Sequence, residues 1–203
     1  MKIHHDLIAG VDEVGRGCLA GPVVACAVIM SDDQLKALSA DDSKKLSDKK
    51  RRALSQQITN SAMAWGIGIA SVAEIDDINI LQASLLAMRR AVQGCFIKAD
   101  RVLVDGRDDP ALDMPTKTII NGDAIEPIIG CASIVAKVFR DDLMMAYAAE
   151  FPGYGLEKHK GYGTKVHLNA LQHLGVTPIH RKSFRPVMQI HNHSCQMTMG
   201  EGR

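Results

Sequence analysis

No apolar run in the 203-residue sequence approaches the ~20 residues that a membrane-spanning helix needs. Its first residues, MKIHHDLIAG, contain neither a long apolar region nor a small-residue cleavage site, so nothing marks the chain for export and a cytoplasmic protein is expected. The five cysteines (Cys18, Cys26, Cys95, Cys131, Cys195) are odd in number and scattered, with no C-x-x-C pair, which argues against a disulfide framework and a zinc site. They are expected to be reduced and mostly buried. A formal net charge of +1 means that overall electrostatics does not announce a nucleic-acid binder. Contact with a polyanion would have to rest on local patches. There is also no internal repeat and no low-complexity linker.

What is present is the composition of an ordinary globular domain, 46% apolar and 23% charged. A chain of this length buries roughly 70% of its unfolded surface, enough for one packed core. A single domain over residues 1–203 is expected, with about 151–203, rich in Gly, His and basic residues, as a C-terminal helical extension whose tail is mobile from about 190. A monomer is expected.

Residues 7–13 and 19–30 read as two strands around a Gly-rich turn, the opening hairpin of a sheet. The polar stretch 31–50 reads as loop, ending at Ser47, which suits the N-cap of a helix to about Ser61 with Leu54 and Ile58 on one face. A third strand is expected at 64–72, and a helix at about 80–96 with Leu81, Leu85, Met88 and Val92 in one stripe. RVLVDG (101–106) reads as a strand buried on both faces, TKTIINGD (116–123) as another, and helical spacing returns at about 127–150 and 164–174. Strands followed by strand–helix alternation predict an α/β domain with a mixed central sheet flanked by helices.

Three apolar segments each deliver acid to a predicted strand end: Asp12 with Glu13, then Asp105, then Asp123. An acid followed by glycine is also a common turn former, so any one of them is ambiguous. Three together favour a site, because side chains from distant segments converge beyond strand ends in open α/β sheets. Four clustered carboxylates raise one another's pKa unless a cation neutralises them. Oxygen ligands without His or Cys suit Mg²⁺ or Mn²⁺, and two such ions can activate a water and stabilise the leaving oxygen in phosphodiester cleavage. Neighbouring strand residues point to opposite faces, so Asp12 is expected as the central, bridging ligand. Glu13 is expected to act through a distorted strand end, its backbone carbonyl or a water.

Six segments in order, GVDEVGRG (10–17), DSKKLS (42–47), LVDG (103–106), GDAIEPIIGCASIVAKVFRD (122–141), HKGYGT (159–164) and RKSF (181–184), make the chain closely resemble the bacterial type 2 ribonucleases H, the ribonuclease HII family. The resemblance implies a ribonuclease H-like fold with a C-terminal helical extension, and an endoribonuclease acting on RNA–DNA hybrids and on duplex DNA containing ribonucleotides. It implies cleavage on the 5′ side of the ribonucleotide, leaving 3′-hydroxyl and 5′-phosphate, and a role in removing misincorporated ribonucleotides and RNA primers. It implies that Asp12, Glu13, Asp105 and Asp123 are catalytic metal ligands, that Gly15, Arg16 and Gly17 sense the ribose 2′-OH, and that Tyr162 stacks on the deoxyribose beyond.

The chemistry agrees. Reading a 2′-OH needs polar groups close to a sugar, and glycines flanking Arg16 let the main chain approach. Tyr162 between Lys160 and Lys165 interleaves an aromatic face with cations, although a packing role is its ordinary alternative. Lys44 and Lys45 are candidate phosphate contacts, and Lys137 and Arg140, three residues apart, are candidates to face the strand. Cys18, Arg107, Gly163 and Arg185 depart from the family's usual residues without removing a catalytic group. His191–His193 spell HNH in a polar tail without that motif's structural context. His159, His167, His173 and His180 share no ligand spacing and are expected at the surface or beside phosphate. Two other classes stay in view: a catalytically silent nucleic-acid binder on the same scaffold, and another polynucleotidyl transferase of that fold. Four acids beside phosphates argue against the first, and the GRG and HKGY segments would be without purpose in the second.

Overall fold

The structure is a computed structural model that describes residues 7–38 and 47–200, with side chains in its last helix as far as Asn192. Five strands, β1 (Ile8–Val14), β2 (Val23–Ile29), β3 (Ala64–Ala70), β4 (Arg101–Asp105) and β5 (Thr116–Ile119), form one sheet in the order β3-β2-β1-β4-β5. β1 pairs antiparallel with β2 and parallel with β4, and β4 pairs parallel with β5, so the sheet is mixed as the sequence predicts. Every residue of β2, VVACAVI, is buried, as expected for a strand covered on both faces.

The helices are α1 (Asp32–Ala37), α2 (Asp48–Ser61), α3 (Val72–Gln93), α4 (Gly122–Ile125), α5 (Pro127–Glu150), α6 (Leu156–His159), α7 (Lys165–Leu174) and α8 (Arg185–Gly200). Three local differences from the sequence reading have clear causes. Residues 32–37 are a short helix rather than loop, because Ser31 and Gln34 form a reciprocal capping box that satisfies two N-terminal N–H groups without any apolar stripe. α3 starts eight residues before Ile80: Ser71 and Glu74 cap its first turns, and Asn79, at φ 68°, interrupts it while its Oδ1 accepts from the N–H groups of Leu81 and Gln82. β5 ends at Ile119, so Asp123 stands in the first turn of α4 and not on a strand.

The chain divides into two compact units, one of residues up to Val14, Val24–Ile69 and Ser84–Phe139, the other of Gly15–Val23, Ala70–Ala83 and residues from Arg140 on. In the first unit Val28, Ile58, Ile129 and Ile134 lie in one apolar core. A methyl group at Gly10 would collide with the Ile128 backbone, and one at Gly66 or Gly68 with the backbone of Ala91 or Ala87, so these glycines let helices lie directly on strands. In the second unit Met144, Leu156, Leu171 and Val187 form a separate core. No helix among the described residues is long and apolar enough to cross a membrane.

Candidate active site

The register of the first unit's central strands brings two acids together. Val11 of β1 pairs with Val104 of β4, so Asp12 and Asp105 are the next residues on neighbouring parallel strands and share a face. β4 stops there, while β1 continues against β2 as far as Val14. Beyond the last β1–β4 pair Glu13 has no strand on that side, and its backbone N–H donates to Asp12 Oδ1 at 2.7 Å. One carboxylate oxygen from each of Asp12, Glu13 and Asp105 then lies within 4.8 Å of the others. Glu13 therefore reaches the cluster with its side chain, and the strand end resolves the opposite-face difficulty.

Asp12 is buried, and Glu13 Oε2 is shielded from solvent. Burial first, then the charges of Glu13 and Asp105, push the Asp12 carboxyl well above its ordinary 3.8, against the opposing pull of the Ser133 side chain and the Glu13 N–H. Three oxygen donors that repel one another in a half-dry site suit a hard divalent cation, which would offset the charge. Among the described residues Asp123 is not a member of this group of three. Its backbone N–H donates to Asp105 Oδ1 at 3.3 Å, which orients that carboxylate from α4. Ser133, which the sequence did not single out, bonds to Asp12 from α5.

In the second unit the GRG segment is held from below. Arg181 is fully buried and donates to three carbonyls: Nη2 to Gly15 (2.7 Å), Nη1 to Arg16 (2.8 Å) and Nε to Gly21 (2.9 Å). Arg140, also fully buried, donates to the carbonyls of Ala20, Pro22 and Lys160 at 2.9–3.0 Å. It is a brace for the 20–22 and 160 segments, not a phosphate contact facing the strand, because it is fully buried and each of its three nitrogens donates to a backbone carbonyl. Burial pulls Arg181 down to about 10, which leaves it charged at neutral pH. Gly15 has φ +95°, and a Cβ there would collide with Arg140, so this position tolerates only glycine. Arg16 and Gly17 are exposed.

Cys18 forms a β-bridge with Tyr162, and Leu19 N–H donates to the Gly161 carbonyl at 2.8 Å. The structure thus brings Gly15, Arg16 and Gly17 into one braced assembly with the loop of Tyr162, a residue that is 43% exposed. Burial and the neighbouring Cys18 raise the Tyr162 hydroxyl pKa. Lys44 and Lys45 lie outside the described residues. His167 and His180 are not at the surface as expected. Both are buried and 3.1 Å apart at their Nε2 atoms, in a polar contact that no sequence spacing signals.

A family model described as ribonuclease HII matches residues 9–187. This chain belongs to the ribonuclease HII family. It is 52% identical over 184 residues to the ribonuclease HII of Coxiella burnetii (strain Dugway 5J108-111), covering 91% of each chain. Among solved structures it resembles the ribonuclease H2 of Pyrococcus horikoshii OT3 (TM-score 0.78, 23% identity, 92% of this chain and 98% of that one). It also resembles Bst-RNase HIII in complex with Mn²⁺ (TM-score 0.71, 13% identity, 96% and 72%). At those identities the likeness shows the fold. The α/β ribonuclease H-like architecture is as the sequence implies, and family membership makes the chain an endoribonuclease of the ribonuclease H class, acting on RNA in RNA–DNA hybrids.

Proposed function

We propose that the chain incises duplex DNA on the 5′ side of embedded ribonucleotides, as well as RNA in hybrids, and serves to remove misincorporated ribonucleotides and RNA primers. The observation that carries this reading is the convergence of Asp12, Glu13 and Asp105 oxygens within 4.8 Å at the ends of β1 and β4. Those three residues, with Asp123 alongside, would hold Mg²⁺ or Mn²⁺. When bound, such ions supply the positive charge that activates a water and offsets charge on the departing 3′-oxygen. Manganese is supported by its presence in the structurally similar Bst-RNase HIII, and magnesium by the all-oxygen donor set.

The residues have separable tasks. Asp12, buried between strands, fixes the centre of the ligand set. Glu13 and Asp105 add charge, while Ser133 restrains Asp12 and the Asp123 N–H restrains Asp105. Gly15, Arg16 and Gly17 present main-chain groups and a guanidinium to a ribose 2′-OH, the atom that separates RNA from DNA. Tyr162 offers an exposed face for the adjacent deoxyribose, and Lys44 and Lys45 would attract phosphates. The protein acts as a monomer in this reading.

The test uses three duplexes with Mg²⁺ or Mn²⁺: DNA with a single ribonucleotide, all-DNA, and an RNA–DNA hybrid. Wild-type protein is expected to cut the first and third, leaving 3′-hydroxyl and 5′-phosphate, and Asp12→Asn to cut none. Survival of the single-ribonucleotide duplex, or equal cutting by the variant, removes the reading.

A further inference from the structure

Beneath the Tyr162 loop, the second unit contains a hydrogen-bond chain whose direction can be deduced atom by atom. His167 Nδ1 lies 3.0 Å from the Tyr162 carbonyl oxygen. A carbonyl only accepts, so Nδ1 carries the proton. In a neutral ring Nε2 is then an acceptor, and it lies 3.1 Å from His180 Nε2, which must carry the next proton. His180 Nδ1 is left to accept, and the Thr177 backbone N–H donates to it at 3.1 Å, with Thr177 Oγ1 at 2.7 Å. The chain therefore runs one way: Thr177 to His180, His180 to His167, His167 to the Tyr162 carbonyl. Two backbone groups at its ends fix both tautomers.

Its surroundings hold it still. His167 and His180 are both buried. His159 stacks on His167 with ring centres 4.5 Å apart, accepts from Gly161 N–H and bonds the Tyr154 carbonyl, while the Tyr154 ring packs against His180 at 5.0 Å. Tyr162 is tied by main-chain bonds, its N–H donating to the His159 carbonyl at 2.9 Å and its carbonyl accepting also from the Thr164 N–H at 2.8 Å, and His167 adds a side-chain donor to that same carbonyl. Tyr162 lies between Gly161, at φ +89°, and Gly163, and is exposed. Ordering a loop of this kind on binding costs conformational entropy, and a side-chain donor already attached to the Tyr162 carbonyl removes part of that cost beforehand.

We propose that His167, braced by His180, is a positioning residue that fixes the Tyr162 backbone so that the ring is presented to the substrate sugar. The proposal rests on the reading of Tyr162 as a substrate contact. A pair of histidines that only filled space would be indifferent to which nitrogen donates. A positioning pair depends on it.

The experiment is a double-mutant cycle on the duplex with one ribonucleotide, using Tyr162→Ala, His167→Leu and the combined variant, with His167→Asn as the conservative control. The amide of His167→Asn can still donate from near the Nδ1 position. His167→Leu should raise KM about tenfold, as Tyr162→Ala does, with kcat within about twofold. The combined variant should be no worse than either alone, and His167→Asn should return KM to within about threefold of wild type. An unchanged KM in His167→Leu, or effects that multiply in the combined variant, overturns the proposal while leaving Tyr162 as a contact. An unchanged KM in Tyr162→Ala instead removes the Tyr162 reading on which the proposal stands. If His167→Leu does not fold, His180→Gln, which keeps a donor toward His167, is compared with His180→Met, which does not. Equal KM for those two overturns the proposal, and a higher KM for His180→Met supports it.

Discussion

The backbone N–H of Asp123 donates to Asp105 Oδ1 at 3.3 Å, so one acid of the site is oriented by the main chain of the residue expected to be another. Substituting the Asp123 side chain leaves that bond in place. Asp123→Ala, which loses only its own carboxylate, should lower kcat by about 10–100-fold, whereas Asp105→Asn should leave no measurable turnover. Single-turnover rates across a Mn²⁺ titration decide this, and equal losses would place Asp123 on the same footing as the other three acids.

Asp12 makes a prediction of opposite sign for activity and stability. Its folded pKa is raised above the ordinary value, so the stability associated with it is present below pH 3.8 and is lost as pH rises through the folded pKa. At neutral pH without metal, the group therefore opposes folding. Asp12→Asn should be inactive, yet in chelator it should melt about 3–5 °C above wild type, and it should gain less from added Mn²⁺. A variant that melts at or below the wild-type temperature in chelator contradicts the repulsion described for the cluster.

Gly15 and Gly17 separate folding from recognition. A Cβ at Gly15 meets the guanidinium of Arg140, which three carbonyls hold in place, and its φ is +95°; a Cβ at Gly17 meets nothing within 4 Å. Gly15→Ala should lower the melting temperature by roughly 4–8 °C. Gly17→Ala should leave it within about 1 °C. Any rise in KM for Gly17→Ala then comes from the substrate side, and wild-type kinetics would exclude Gly17 from ribose recognition.

Acid should weaken the second unit through its histidines. Burial, followed by His167, pulls His180 from 6.5 to about 4, and burial lowers His167 as well, with His159 adding to it. Their other titratable neighbours are Tyr154 and the Tyr162 loop. The unfolded chain binds protons that the folded one refuses between pH 6.5 and 4, so stability is full above 6.5 and falls as pH drops through that window. The expected loss is about 1–3 kcal/mol by pH 4.5, read from urea midpoints, and His180→Gln should reduce it. An identical pH dependence in that variant would assign the acid sensitivity elsewhere.

The sheet and most helices were legible because apolar periodicity and capping residues are local signals, as at Ser47 before α2 and in the uninterrupted VVACAVI of β2. α1 was not, since six residues without an apolar stripe depend on the capping box alone. Asp12 and Asp105 were legible as acids at strand ends. The side-chain route of Glu13 was not, because it follows from where β4 stops relative to β1, a matter of register. Arg140, Arg181, His167 and His180 escaped for a different reason. Charged or ionisable residues read as surface in a sequence; carbonyl partners up to 166 positions away reveal the two arginines as interior braces, and contacts with each other and with Tyr162 and Thr177 reveal the two histidines as buried.

The contact between Gly10 and the start of α5 limits how far the DEVGRG segment can be moved to another protein. Two residues before Asp12, the sheet is as thin as bare backbone, because the Ile128 main chain occupies the space a methyl group would need. Strand and helix are therefore a single exchangeable module. A graft that copied β1 and its following loop, but not the IEPIIG turn that rests on it, would carry Asp12 and Glu13 and still lack the surface that fixes where they point.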